Sequence, residues 1–144
     1  KGLPKVGPVT GKLSQRWGTG PMVIPAPREV DALMRKVPKG RLVTINELRA
    51  ALAKKHKVGF ACPITTGIFS WIAAHAAAEA ETEGTKRITP YWRTLKTVGE
   101  VNPKYPGGPA GLAKRLRAEG HKLVCKGKRL LVADYENKLF GKLH

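Results

Sequence analysis

Six side chains in this 144-residue chain have the types that do nucleophilic or acid–base chemistry near neutral pH: two cysteines and four histidines. A cysteine accepting a transferred group, Cys62 or Cys125, with His56, His75 or His121 as its base, is the enzyme reading they permit. Against it, a free cysteine is most often a small buried hydrophobe, and His75 falls on a helical face where packing or capping is its ordinary work. The two cysteines have neither metal-type nor redox-type spacing, and no metal or cofactor is expected. A second candidate is ITPYWRTL, residues 88–95, where Tyr91 and Trp92 stand between Pro90 and Arg93. Aromatics beside an arginine either pack a core or offer flat faces to a nucleic-acid base.

Charge points to the class of partner. The formal net charge is +17 with a pI near 10.4, an imbalance that costs self-repulsion and suits a polyanion. Double-stranded DNA is the first expectation. A membrane is not, because no run of about 18 apolar residues could span one and no lysine-rich amphipathic helix stands out. The charge is uneven: 13 basic against 3 acidic residues over 1–58, 2 against 3 over 59–91, and 12 against 4 over 92–144. The opening residues KGLPKVGPVTGK hold no apolar core of a signal peptide, and the sparse cysteines suit a reducing compartment. The expected location is cytoplasmic, nucleoid-associated in a bacterium.

These residues need elements to hold them. Residues 1–27, rich in Pro and Gly with four basic residues, read as a flexible basic arm, either laid along phosphates or simply a mobile terminus. PREVDALMRKV then places Val30, Leu33, Met34 and Val37 at helical spacing. Thr44 is the expected N-cap of a second helix, INELRAALAKKH, with Glu47 completing a capping box and Lys54 and Lys55 loading its end. A third helix, TTGIFSWIAAHAAAEAETE, has one face of Ile68, Trp71, Ile72 and His75 and another of Gly67, Ser70, Ala74, Ala77 and Ala78. The small face is either exposed, as in a helix-turn-helix, or packed tightly on a neighbour. Glu79, Glu81 and Glu83 crowd its C-terminal end, so its N-terminal end, with the hydroxyls of Thr65 and Thr66, is the end expected to meet phosphates. PAGLAKRLRAEG reads as a fourth helix, and HKLVCKGKRLLVADYE as a basic hairpin, either a wing or a small sheet with solvated lysines.

Three motifs carry a resemblance. VPKGRLVTINELRAAL is similar to the VPxGxVxTYxxLA opening of the DNA-binding domain of alkylguanine-DNA alkyltransferases. TPYWR stands where that family has its PCHR box. GEVNPKYPGG and the twelve residues ending in EG resemble its substrate loop, GxLxxYxGG, and the helix after it. The resemblance covers roughly residues 28–120. It implies a mainly α, winged helix-turn-helix-like fold with a small β hairpin, working through the minor groove and rotating a damaged guanine out of the stack.

The departures decide the chemistry. The family's nucleophilic cysteine falls on Tyr91 and its activating histidine on Trp92, while Pro90 and Arg93 keep the box. A phenol is a poor nucleophile at neutral pH and an indole cannot accept a proton. This pattern resembles the non-catalytic alkyltransferase-like proteins, in which a tryptophan commonly replaces the cysteine. The family's intercalating arginine falls near Thr66, and the tyrosine of its TY pair is Ile45. By this resemblance the base pocket is lined by Pro90, Tyr91, Trp92, Tyr105, Gly107 and Gly108. The alternative is that Tyr91 and Trp92 fill the centre of a fold without a pocket.

The expected organisation is the arm, 1–27, followed by one DNA-binding domain, 28–144. Its DNA contacts are expected from Thr65, Thr66, Gly67, Ser70, Arg93, Lys54, Lys55, Lys96 and Lys104, with Arg93 either bracing the box or meeting a phosphate. The expected function is non-enzymatic: binding DNA at alkylated guanine and marking it for a DNA-repair protein. The alternative is lesion-independent binding through phosphates alone.

Overall fold

The computed structural model describes residues 2–8 and 21–143. The chain is mainly α with small sheets. In order it forms β1 (Lys5–Pro8), β2 (Pro21–Ile24), α1 (Pro27–Arg35), β3 (Val43–Thr44), α2 (Ile45–Lys55), β4 (Phe60–Ala61) and α3 (Pro63–Thr82). A 3-10 turn at Tyr91–Arg93 leads into β5 (Thr94–Leu95) and a second at Thr97–Gly99. Then come α4 (Gly108–Ala118), β6 (Leu123–Lys126), β7 (Arg129–Val132) and a last 3-10 turn at Tyr135–Lys138.

Local chemistry sets the helix starts. Pro27 occupies the first turn of α1, where a missing N–H costs nothing. Glu29 reaches back to accept from the Ala26 N–H at 2.9 Å. At α2 the expected capping box is present: Thr44 Oγ1 accepts from the Asn46 N–H at 3.2 Å, and Glu47 Oε1 accepts from the Thr44 N–H at 2.6 Å. The hairpin β6–β7 also forms as expected, pairing Lys126 with Arg129 across a tip that contains Gly127 at φ 62°.

The flexible arm needs correction where it is described. Residues 5–8 and 21–24 are paired antiparallel, and β2 runs parallel to β4, setting Met22 against Phe60 and Val23 against Ala61. Val23 is fully buried. The short apolar run Met22–Ile24, bounded by Pro21 and Pro25, is a strand that the Gly/Pro-rich composition around it conceals. Residues 9–20 of that arm lie outside the described residues.

The main core gathers Val30 and Met34 of α1, Leu48 and Leu52 of α2, Ala73, Ala74 and Ala77 of α3, Leu112 and Leu116 of α4, and Tyr91 and Tyr105 from the loops. The small face of α3 is therefore the buried one, with Thr66, Ser70 and Ala74 at most 1% exposed. Methyl-sized side chains let neighbouring backbones approach closely. The large face is turned out, leaving Ile64, Ile68, Trp71 and Ile72 each more than 40% exposed. Four large apolar groups on one helix of so charged a chain form a patch that calls for a partner. The far end of the helix carries the acids, with Glu79, Glu81 and Glu83 exposed. Among the described residues no helix is long and apolar enough to cross a membrane.

This inversion of faces predicts an inversion of mutational costs. Ala74→Leu overpacks the core and lowers stability by about 1–3 kcal/mol. Ile68→Ser, which removes a far larger apolar group, stays within about 0.5 kcal/mol of neutral. Urea unfolding of the two variants checks it.

Candidate functional site

The YWR turn is built as an anchor. Glu119, just past α4, accepts from Arg93 Nη2 at 2.8 Å and Nε at 3.0 Å, and from Trp92 Nε1 at 2.8 Å. It also accepts from the Gly40 N–H at 3.3 Å. Arg93 spends its remaining arm on the Val37 carbonyl, Nη1 to O 2.7 Å. Burial alone would raise the Glu119 pKa, but the hydrogen bonds from Arg93, Trp92 and Gly40 and the charge of Arg93 outweigh it and hold the carboxyl below its ordinary value. Arg93 therefore braces the box and has no arm left for a phosphate, which corrects its expected contact with DNA.

Tyr91 is sealed. It is 2% exposed, with the edges of Trp92 and Tyr105 against it at centroid distances of 5.3 and 6.2 Å. The Arg115 guanidinium lies 5.6 Å over its ring and 4.5 Å over that of Trp92, and Arg115 is itself paired with Glu81. Burial is the main cause that raises the phenol's pKa, so it stays protonated at neutral pH. Of the expected base pocket, Pro90 and Tyr91 are buried, and Trp92 is bonded to Glu119. Gly107 and Gly108 serve the turn into α4, at φ 90° and 62°. Tyr105 lines an opening.

A recess of about 230 Å³ is walled by Pro63, Gly67 and Ser70 of α3 on one side and by Lys96 and Thr97 on the other, with Ile45, Leu95, Asn102 and Tyr105 completing it. The parallel pairing of β3 with β5, Thr44 opposite Leu95, brings Ile45 beside Lys96. Tyr105 donates to Ser70 Oγ at 3.0 Å, and Ser70 donates to the Gly67 carbonyl at 2.8 Å. Burial raises the Tyr105 pKa as well, keeping that hydroxyl a donor.

Gly67 and Asn102 also border a broader groove of about 740 Å³, lined by Ile64, Ile68, Trp71, His75 and Lys104. The groove is held by one carbonyl. Lys104 O accepts from Trp71 Nε1 at 3.1 Å and from His75 Nε2 at 3.1 Å, so Nε2 of His75 carries the proton. A Cβ added at Gly67 meets nothing within 4 Å, so this glycine stands open between groove and recess.

The structure thus brings Gly67, Ser70, Lys96, Lys104 and Tyr105 together and leaves other expected residues elsewhere. Ser70 is 1% exposed, a floor for the recess rather than a DNA contact. Thr66 is fully buried and its hydroxyl donates back to the Cys62 carbonyl at 2.7 Å. Thr65 Oγ1 is enclosed without a hydrogen-bond partner. Pro63, not Thr65, opens the helix. Lys55 is paired with Glu29 at 2.6 Å, and with Lys54 it borders a separate depression between α1 and α2. Ile64, Ile68, Trp71 and Asn102 were not among the expected contacts. The signal for them was the stripe Thr66, Ser70, Ala73, Ala74 and Ala77, which runs much of the helix while the large apolar residues stop at Ile72.

Cys62 is buried and Cys125 exposed on β6. His56 is bonded to Glu29 at 2.8 Å, His75 to Lys104, and His121 is buried with Nε2 unpartnered. Among the described residues no hydrogen bond joins a cysteine to a histidine.

Burial is the main cause lowering the His121 pKa below its ordinary 6.5. The unfolded chain therefore takes up a proton first, and stability present above pH 6.5 is lost as pH falls toward the folded-state value. Glu119, whose folded pKa is depressed, adds a second loss only as pH falls through 4.5 and below. His121→Gln should flatten the stability–pH curve just below pH 6.5 and leave the acid limb in place. Glu119→Ala, which strands the buried Arg93, should cost about 3–5 kcal/mol.

No family model matches the chain, and no curated protein matches it. Among solved structures the chain is similar to S. pombe Atl1, crystallised in complex with damaged DNA containing O6-carboxymethylguanine, with a TM-score of 0.49 and 14% sequence identity over 79% of this chain and 93% of that one.

Proposed function

We propose that the protein binds double-stranded DNA without chemically altering it, laying the exposed face of α3 against the duplex. The observation that carries this reading is a base-sized recess opening onto an apolar helix face, flanked by Lys96 and Lys104, in a chain of net charge +17. Ile64, Ile68 and Trp71 suit the sugar walls and base edges of a groove, while lysines around them meet phosphates. The acids at the far end of α3 set that end away from the phosphates.

The recess favours a lesion-recognising form of this function. Its volume of about 230 Å³ is below the range of drug-sized sites and suits a single planar group. Asn102 offers a carboxamide at the mouth, Thr97 a hydroxyl and Tyr105 an aromatic wall. An alkylated guanine, whose weakened pairing lowers the cost of extrusion, is the base that enters at least expense. Handing such a base to a DNA-repair protein is the natural end of a function with no reactive group, since Tyr91 is shut away and its phenol protonated.

Titration of duplexes with and without one alkylguanine, repeated from about 50 to 200 mM salt, tests both levels. The expected results are a steep loss of affinity with salt for both duplexes and tighter binding of the alkylated one. Gly67→Trp places a large ring at the recess, so it should abolish the preference between the two duplexes even where it also weakens binding of both. Equal affinities in the native protein would remove the lesion and leave phosphate-held binding. Among the described residues Trp71 is the exposed indole and Trp92 is tied to Glu119, so Trp71→Phe should remove more of any change in tryptophan emission on binding than Trp92→Phe does.

A further inference from the structure

After β5 the chain makes a tight turn through Lys96–Glu100 that holds Val98 at φ 60° and ψ 19°. This left-handed conformation strains a β-branched residue, and glycine or asparagine fill such positions at far lower cost. Burial does not compensate, because Val98 is 49% exposed. The strain persists because the turn is fixed from every side. Lys96 N–H donates to Glu100 O at 2.7 Å and Gly99 N–H to Lys96 O at 3.2 Å, while Val101 N–H donates to Leu130 O at 2.8 Å. Gly99 lies flat against Tyr135, where an added Cβ would fall 2.4 Å from a ring carbon. The result is a short, stiff apolar side chain held rigidly out in water.

Its position gives this projection a use. Lys96 and Thr97, the residues just before Val98, wall the recess opposite Pro63 and Gly67 of α3. Val98 directly follows Thr97 of the recess wall and is itself 49% exposed, two residues after the half-exposed Lys96. Small apolar side chains that enter a base step unstack it locally, and a wedge beside a recess keeps an extruded base from returning. A strained residue exposed next to a binding recess is the kind of outlier that points to function.

We propose that Val98 is an apolar wedge that enters a base step of duplex DNA beside the recess. This rests on the DNA-binding reading above and adds to it the residue that opens the stack. A contact with a partner protein is the rival use of the same projection.

The test uses the full chain, a duplex with 2-aminopurine, which brightens when unstacked, and two variants. Val98→Asn relieves the backbone, so its thermal midpoint should rise by about 2–6 °C. Its duplex affinity should nevertheless fall about tenfold with an unchanged salt slope, and the brightening seen with the native protein should disappear. Val98→Leu keeps an apolar tip and should retain most of both. Unchanged affinity in Val98→Asn overturns the wedge and leaves the protein contact, and so does a bound native complex in which 2-aminopurine stays dark. Equal losses in both variants also overturn it, because they would assign the effect to the shape of the turn. If the native protein binds no duplex at all, the DNA-binding reading falls and the wedge with it; if it binds and only the variants disappoint, the wedge alone falls.

Discussion

The carboxylate of Glu119 is the fixed point of this molecule. It gathers the Arg93 fork, the Trp92 indole and the Gly40 amide, while Arg93 clips the Val37 carbonyl. One acid thereby ties the end of α4 to the YWR turn and to the chain just after α1. A pair this enclosed contributes little by its mere formation, since desolvation offsets much of the attraction. What it supplies is register. It decides which side of Tyr91 faces inward, and so where the surface can open.

That constraint fixes the segment that resembles an active-site box. With Arg93 and Trp92 committed to Glu119, and Arg115 lying over both aromatic rings, the turn is a structural plug. Tyr105 borders a recess whose polar groups are the hydroxyls of Ser70, Thr97 and Tyr105, a carboxamide and an ammonium rather than a thiol and an imidazole. Groups of that kind bind and orient, and they do not carry off an alkyl group.

Much of the fold could be read in the sequence because it is encoded locally. The 3.6-residue spacing of Val30, Met34 and Val37, the Thr44–Glu47 box and the Gly127 tip each act within a few residues. What stayed open or was missed is decided by distant interactions. α3 has two self-consistent faces, and only packing selected the alanines for the interior. β2 pairs with β4 across residues of unrelated composition. The recess exists because β3 and β5 are neighbours, which no spacing within either segment reveals. The resemblance named Tyr105 among the pocket residues but gathered the pocket around Tyr91, and the burial of that ring is felt only in three dimensions.

The acids that close α3 have a consequence for how the molecule travels. Glu79 and Glu83 sit at one tip of a rod of 20 residues, about 30 Å long, while lysines dominate the chain before and after it. The protein is therefore an electrical compass needle as well as a cation. Near a polyanion its field exerts a torque before any contact forms, so that encounters begin already oriented and fewer collisions are wasted.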